Sequence, residues 1–205
     1  MATKGVIHVV EDDQPMRDSL VELLEDAGYA VRAYTRAEEL LARGAALEPG
    51  CVVSDVRMPG IDGLLLLQRL RTKGSPLPLM LITGHGDVSM AVRAMKAGAV
   101  DFLEKPFEAD ALLTAIDEAL RSNSDEVVED AETTRLRLLK LTPREQEVFD
   151  HLVTGQSNKE IAACMGISPR TVEFHRAHIM EKTAAKGLPD LVRLSFASRQ
   201  LKSMK

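Results

Sequence analysis

Five side chains in the first half of the chain have types and settings that could perform chemistry together. Asp55 closes the apolar run Cys51-Val-Val-Ser54, and Pro59-Gly60 breaks the chain soon afterwards. Glu11 and Asp12 follow Val6-Ile-His-Val-Val10, Thr83 follows Leu79-Met-Leu-Ile82, and Lys105 follows the run from Val100 to Leu103. Each run is short and apolar, which predicts a buried strand. If the strands are parallel neighbours, their carboxyl ends bring three acids, a hydroxyl and an ammonium to one rim. Open α/β sheets bind ligands at such a rim.

Three carboxylates at one place repel one another unless a cation joins them. A hard divalent ion such as Mg2+, completed by water and phosphate oxygens, meets that need. With the ion present, Asp55 could attack a phosphoryl donor, and fixed donors would neutralise the phosphoryl oxygens in the transition state. Lys105 would pair with the carboxylate and then with the new phosphoryl group, and Thr83 would donate its hydroxyl to a phosphoryl oxygen. Phosphorylation adds about −1.5 to −2 charges and strong acceptors, enough to reposition a loop. A lone Asp after a strand is usually a turn residue or a cap, but four strand ends with matched groups argue for a switch. Glu11-Asp-Asp-Gln14 stands where a glycine-rich phosphate loop would follow the first strand, so a nucleotide site is disfavoured.

The elements that must position these groups alternate. Strands are predicted at Val6–Val10, Ala30–Tyr34, Cys51–Ser54, Leu79–Ile82 and Val100–Leu103. Helical spacing follows each: Met16 to Ala27, Ala37–Arg43, Leu64–Leu70, Val88–Ala97 and Glu108–Leu120. Five β–α pairs with short connections imply a doubly wound α/β domain with a five-stranded parallel sheet. Neither glycine nor proline occurs from Glu108 to Thr142, so the link at 122–140 is expected to be helical.

The second half is helical. Thr142-Pro-Arg-Glu145 and Ser157-Asn-Lys-Glu160 are capping boxes, Gly166 is placed to end a helix, and Ser168-Pro169 opens the next. A fourth helix follows Gly187 to Pro189. The segment from about Ser157 to Thr183 has the length and turn of a helix-turn-helix. On its second helix, Val172, His175 and Ile179 share the natural core face, while Glu173, Phe174 and Ala177 share another. His175 is therefore read as a packed structural histidine.

Bulk properties agree with two soluble domains. The 205 residues are 45% hydrophobic and 28% charged, with a net charge of −5. Residues 1–123 hold 13 Lys/Arg against 19 Asp/Glu, a balance of −6, while residues 141–205 hold 10 against 7, a balance of +3. An acidic half joined to a basic half hints at a regulatory module coupled to a nucleic-acid binder. Cys51 and Cys164 lie apart in apolar patterns and are expected to be buried free thiols in a reducing compartment. No apolar run approaches the roughly 20 residues of a membrane span, and no signal peptide is expected, so the expected location is cytoplasmic.

With these residues in view, residues 1–121 resemble the receiver domain of two-component response regulators. The FixJ-type branch is the nearest, through Thr83-Gly-His-Gly-Asp87 and Ala94-Met-Lys-Ala-Gly-Ala-Val-Asp-Phe-Leu-Glu-Lys-Pro-Phe107. The resemblance implies a flavodoxin-like strand order 2-1-3-4-5, with Asp55 as phosphoacceptor from a sensor histidine kinase. It implies Mg2+ ligation by Asp12, Asp55 and the Arg57 carbonyl, with Glu11, where many relatives have Asp, acting through water. Thr83 and Phe102 would be the switch pair, and Lys105, before a cis peptide at Pro106, the phosphoryl contact. It also implies homodimer formation on phosphorylation through the face near Val88–Phe107, to which Met90, Ala91, Ala94 and Met95 could contribute.

Residues 141–205, from Leu141-Thr-Pro-Arg-Glu145 through Ser168-Pro-Arg-Thr-Val-Glu-Phe-His-Arg-Ala-His178, resemble the LuxR/NarL-type DNA-binding domain. That likeness implies base contacts to double-stranded DNA from Glu173, Phe174 and Ala177, and it leaves room for contact with RNA polymerase. Glu173 could accept from a cytosine amino group, and Phe174 and Ala177 could touch a thymine methyl. Lys159, Arg170, Thr171, Arg176 and Lys182 are candidates for phosphate contacts, which orient without reading sequence. Thr183 stands where relatives often carry an apolar residue. The sequence thus reads as receiver (1–121), linker (122–140) and helix-turn-helix domain (141–205). It describes a transcription regulator rather than an enzyme, capable at most of self-phosphorylation and slow self-dephosphorylation.

Overall fold

The computed structural model describes residues 3–84, 88–122 and 131–203. The chain divides into two compact units, residues 1–86 with 96–126, and residues 87–95 with 127–205.

The first unit is built on five parallel strands: β1 (Val6–Val10), β2 (Ala30–Tyr34), β3 (Gly50–Asp55), β4 (Leu79–Gly84) and β5 (Asp101–Lys105). Their order is β2-β1-β3-β4-β5, as expected. Between them run α1 (Gln14–Asp26), α2 (Ala37–Arg43) and α3 (Gly63–Thr72), with α5 (Ala109–Ser122) after the last strand, while α4 (Val88–Lys96), which follows β4 in the chain, falls in the second unit up to Met95. Alternate side chains along a strand point to opposite faces. Ile7 and Val9, Cys51 and Val53, and Met80 and Ile82 pack in one core with Leu20 and Leu24 of α1 and Leu112 and Ile116 of α5. Both faces are covered, so β3 is buried at all six positions and reads as an unbroken apolar run up to its terminal acid.

Three strands differ in their bounds from the sequence expectation, β4 among them by running past Ile82 to Gly84. The apolar run predicts β5 to stop at Leu103, but its ladder continues with Thr83 opposite Glu104 and Gly84 opposite Lys105. β5 is an edge strand with no fully buried residue and with Glu104 exposed, so hydropathy does not mark its end. β3 begins and ends one residue beyond the apolar run, and Asp55 pairs with Ile82 inside the ladder. The Lys105–Pro106 peptide is cis, as anticipated.

Helix starts fix the loops at the acidic rim. Asp13 caps α1 by accepting from the Met16 amide at 2.9 Å, which pins the turn immediately after Glu11 and Asp12. Asp62 caps α3 in the same way, accepting from the Leu65 amide at 2.7 Å. Gly63 follows directly, and a Cβ there would strike the Asp55 carbonyl and the Leu81 side chain. Gly63→Ala is therefore expected to destabilise the first unit by about 1–3 kcal/mol, because packed backbone must give way. Urea unfolding of the variant against wild type checks this, and an unchanged midpoint would refute it.

The second unit holds α6 (Ala131–Leu138), α7 (Pro143–Leu152), α8 (Asn158–Met165), α9 (Pro169–Thr183) and α10 (Leu188–Ser203). Both predicted capping boxes form in full, at Thr142/Glu145 and Ser157/Glu160. Gly166 ends α8 in the left-handed region with φ 66°. Val148, Phe149 and Leu152 of α7 make one core with Ile161, Val172, Ile179, Leu191 and Leu194. Within the stretch expected as a helical linker (122–140), residues 131–138 form α6, and 123–130 lie outside the described residues.

Burial bears on three further expectations. Cys51 is buried and free, but Cys164 is exposed, because α8 turns Ile161 and Ala162 inward and leaves Cys164 off that edge. Ala91, Ala94 and Met95 are buried in the chain. Thr183 fits a fully buried position because its hydroxyl donates to the Ile179 carbonyl at 2.7 Å. The bond runs back one turn along α9, so the hydroxyl finds its acceptor within the helix and needs no water.

Candidate functional site

The rim forms from three adjacent strand ends and the turn after β1. Asp55 ends the central strand and is only 8% exposed. Its Oδ1 accepts from the Lys105 ammonium at 2.7 Å, and its Oδ2 accepts from the Arg57 amide at 2.6 Å. The same ammonium donates to Glu11 Oε2 at 2.8 Å, and the Asp13 amide donates to Glu11 Oε1 at 3.3 Å. Carboxylate oxygens of Glu11, Asp12 and Asp55 lie within 4.8 Å of one another. Asp12 is exposed, so the group opens to water on its side.

The electrostatics follow from that crowding. Burial pushes the Glu11 carboxyl above the usual range, and the nearby Asp55 charge adds to this, while the Lys105 hydrogen bond opposes it. Burial alone would pull the Lys105 ammonium down, but its bonds to Asp55 and Glu11 outweigh that and raise it. One ammonium facing three acids leaves excess negative charge. The donor set is all oxygen and fits a hard divalent cation.

The structure thus brings together Glu11, Asp12, Asp55, Arg57 and Lys105. Thr83 sits near the end of β4, almost fully buried, with its hydroxyl donating to the Gly84 carbonyl at 3.3 Å. Phe102 is partly buried in β5, opposite Leu81. Two supports escaped the sequence reading. Arg17 Nη1 donates to the carbonyls of Glu11 and Asp12 at 2.8 and 3.3 Å, and Glu38 of α2 accepts from the Ile61 amide at 3.3 Å. Polar side chains that bond distant backbone carry no periodic signal, so nothing in the sequence singles them out.

In the second unit, α9 turns Val172 and Ile179 inward and leaves Glu173, Phe174 and Ala177 exposed, as the helix geometry predicts. Phe174 is 60% exposed and meets the His178 ring edge-to-face at 4.2 Å. His175 is half-buried, in keeping with a packed residue, though its Nδ1 has no hydrogen-bond partner. Lys159 and Arg170 are exposed. The other three candidates for phosphate already have protein partners. Thr171 and Ser168 share a hydroxyl–hydroxyl bond at 2.8 Å, Arg176 donates to Asn158 Oδ1 at 2.8 Å, and Lys182 pairs with Glu145 Oε2 at 2.6 Å. That ion pair was not legible in advance. Glu145 is buried, and the Lys182 ammonium together with the Thr142 backbone amide holds its carboxyl down at about 2.

Residues 7–117 match the family described as response regulator receiver domain, and residues 139–195 match the family described as bacterial regulatory proteins, luxR family. The chain is 48% identical to the transcriptional regulatory protein FixJ of Bradyrhizobium diazoefficiens over 206 residues, covering 98% of this chain and 99% of that one. It is 46% identical to the FixJ of Rhizobium meliloti over 199 residues, covering 95% and 97%. Among solved structures it is similar to full-length FixJ from B. japonicum, with a TM-score of 0.59, 48% identity, and coverage of 97% of this chain and 99% of that chain. A parallel sheet with an acidic rim, followed by a helix-turn-helix, defines a response regulator, and this chain belongs to the FixJ-type branch of that family. It is a phosphorylation-controlled, DNA-binding regulator of transcription in a two-component system. The receiver domain implies a histidine kinase as partner, and the LuxR-type domain implies DNA. Among the described residues, no helix is long and apolar enough to cross a membrane.

Proposed function

We propose that Asp55 is the phosphoacceptor of this regulator and that its phosphorylation promotes homodimer formation and promoter binding. The observation that carries this reading is the Lys105 ammonium bridging Asp55 and Glu11 at 2.7 and 2.8 Å, inside a carboxylate cluster no wider than 4.8 Å. An Asp55 oxygen attacks the phosphorus of a phosphohistidine on the sensor kinase. The P–O bond forms as the P–N bond breaks, and the departing imidazole takes up a proton. The Arg57 amide fixes the other carboxylate oxygen during the attack. Lys105 then follows the charge onto the phosphoryl group, and Thr83 exchanges its 3.3 Å bond to the Gly84 carbonyl for a phosphoryl oxygen. Phe102 is the switch partner of Thr83. Asp12, Asp55 and the Arg57 carbonyl would hold Mg2+, with Glu11 acting through water, and the ion would supply neutralisation of the phosphoryl oxygens.

The working boundaries of this reading are receiver 1–121, linker 122–140 and DNA-binding domain 141–205. Glu173, Phe174 and Ala177 read bases, and Lys159, Arg170, Thr171 and Arg176 are the phosphate contacts. Lys182 contributes only if it leaves Glu145, which makes it the weakest of that group. Contact with RNA polymerase follows DNA binding. The regulator acts in the cytoplasm, where both kinase transmitter and promoter are reached. Catalysis is limited to self-phosphorylation from small phosphodonors and slow self-dephosphorylation.

Borohydride trapping after incubation with acetyl phosphate and Mg2+, followed by peptide mass spectrometry, tests the assignment. The reading expects the reduced acyl phosphate at Asp55 alone, and labelling elsewhere would overturn it. A companion measurement separates recognition from folding. Phe174→Ala is expected to leave the melting temperature nearly unchanged, since the ring is 60% exposed, and to lower operator affinity by about 1–2 kcal/mol. Titration by fluorescence anisotropy at fixed salt reads this, and equal affinity would remove Phe174 from the base-reading set.

A further inference from the structure

The acids of the rim are held by more than one another and Lys105. Glu11 and Asp12 occupy a short turn between the end of β1 and the cap of α1, and their carboxylates must stay close despite like charge. Three contacts on that turn come from α1 and its cap: the Arg17 amide to the Asp13 carbonyl at 2.9 Å, and Arg17 Nη1 to the Glu11 and Asp12 carbonyls at 2.8 and 3.3 Å. The guanidinium thus lies on the backbone side of the turn and clasps two consecutive carbonyls with one nitrogen. It makes no hydrogen bond to a rim carboxylate among the described residues, so those oxygens remain turned to the cluster.

We propose that Arg17 is a positioning residue for the divalent-cation site, fixing the turn so that the Glu11 and Asp12 carboxylates converge with Asp55. The inference rests on reading that rim as the cation and phosphoacceptor site. Two opposed consequences make it sharp. A fixed positive charge near a cation site repels the cation, so charge alone predicts that removing Arg17 tightens binding. A clasp predicts the reverse, because without it the acids spread and the cation must gather them again. The protein's own geometry favours the clasp, since both bonds run to carbonyls and the guanidinium is directed at backbone.

Isothermal titration of Mg2+ into the full-length, unphosphorylated chain decides between them. Wild type, Arg17→Met, Arg17→Lys and Asp12→Asn are compared, with melting temperatures recorded in chelator. Arg17→Met is expected to weaken Mg2+ binding about tenfold, and Arg17→Lys, which keeps the charge and reaches one carbonyl, about two- to threefold. Unchanged or tighter binding by Arg17→Met overturns the proposal, as does a lowered melting temperature with unchanged affinity, which marks a merely structural residue. Should Arg17→Met fail to fold, equal affinity of Arg17→Lys and wild type overturns it. A wild type that binds no Mg2+ overturns the reading of the rim and this inference with it. Weakening by Asp12→Asn with none by Arg17→Met overturns the inference alone.

Discussion

Lys105→Met is expected to lower the stability of the sheet domain by about 3–5 kcal/mol in chelator at neutral pH, with saturating Mg2+ restoring most of the loss. Glu11 is 2% exposed and Asp55 8%, and Lys105 bonds to both. Removing one partner of a buried pair leaves the other charges desolvated and unpaired, and here two carboxylates are left facing a third. The Lys105 side chain keeps 25% of its exposure, so the lower end of the range is the better expectation.

The acid response of this variant has a definite sign. The Glu11 carboxyl already titrates above its usual range through burial, and loss of the ammonium moves it further up. A carboxyl with a raised folded pKa contributes stability below its unfolded pKa and loses it as the pH climbs through the folded value. The deficit of the variant should therefore shrink on acidification toward pH 5. Hydrogen exchange at sheet amides, with and without Mg2+ at two pH values, measures this. A deficit that ignores both Mg2+ and acid would mean that Lys105 matters only as packing.

The second large effect lies in the helix-turn-helix unit. Glu145 serves twice, closing the capping box of α7 and pairing with Lys182 on α9. Its carboxyl is held at about 2 against an ordinary 4.5 by the Lys182 ammonium first and by the Thr142 cap with it, so the two interactions together contribute on the order of 2–3 kcal/mol after allowance for water at the Lys182 end. A depressed carboxyl contributes fully above its unfolded pKa and loses that contribution as the pH falls toward the folded value. Stability of this unit is therefore expected to drop between about pH 4.5 and 2. Lys182→Met should remove part of that amount at pH 7, the Thr142 bonds keeping the rest, and make the acid limb shallower. Unfolding followed at residues of α7 and α9 distinguishes these outcomes. An acid limb of the same steepness in wild type and variant would show that other groups carry it.

Much of this architecture was legible because two periodicities and two capping boxes are local signals. The five strands, their order by resemblance, the outward Glu173–Phe174–Ala177 face and the acids at strand ends all follow from short windows of sequence. What was not legible spans distance or lacks polarity contrast. The end of β5 hides because an edge strand tolerates Glu104 and Lys105 within its ladder. The Glu145–Lys182 pair hides because its halves stand 37 residues apart, and the capping box accounts for Glu145 before a partner is sought. Arg17 and Glu38 hide for a related reason. Their partners are main-chain groups, which any residue type presents.

The complete burial of β3 has a mechanical consequence. A close-packed interior is nearly incompressible, so the strand beneath Asp55 behaves as a stiff post with an acidic tip. Compliance lies sideways, in the exposed stretch at Pro59 and Gly60, since the turn at Asp12 is held by Arg17 and the Asp13 cap. A charge placed on that tip deforms the neighbouring loops far more than the strand below. The response of the domain is anisotropic by construction, and its direction is set by which loops are soft.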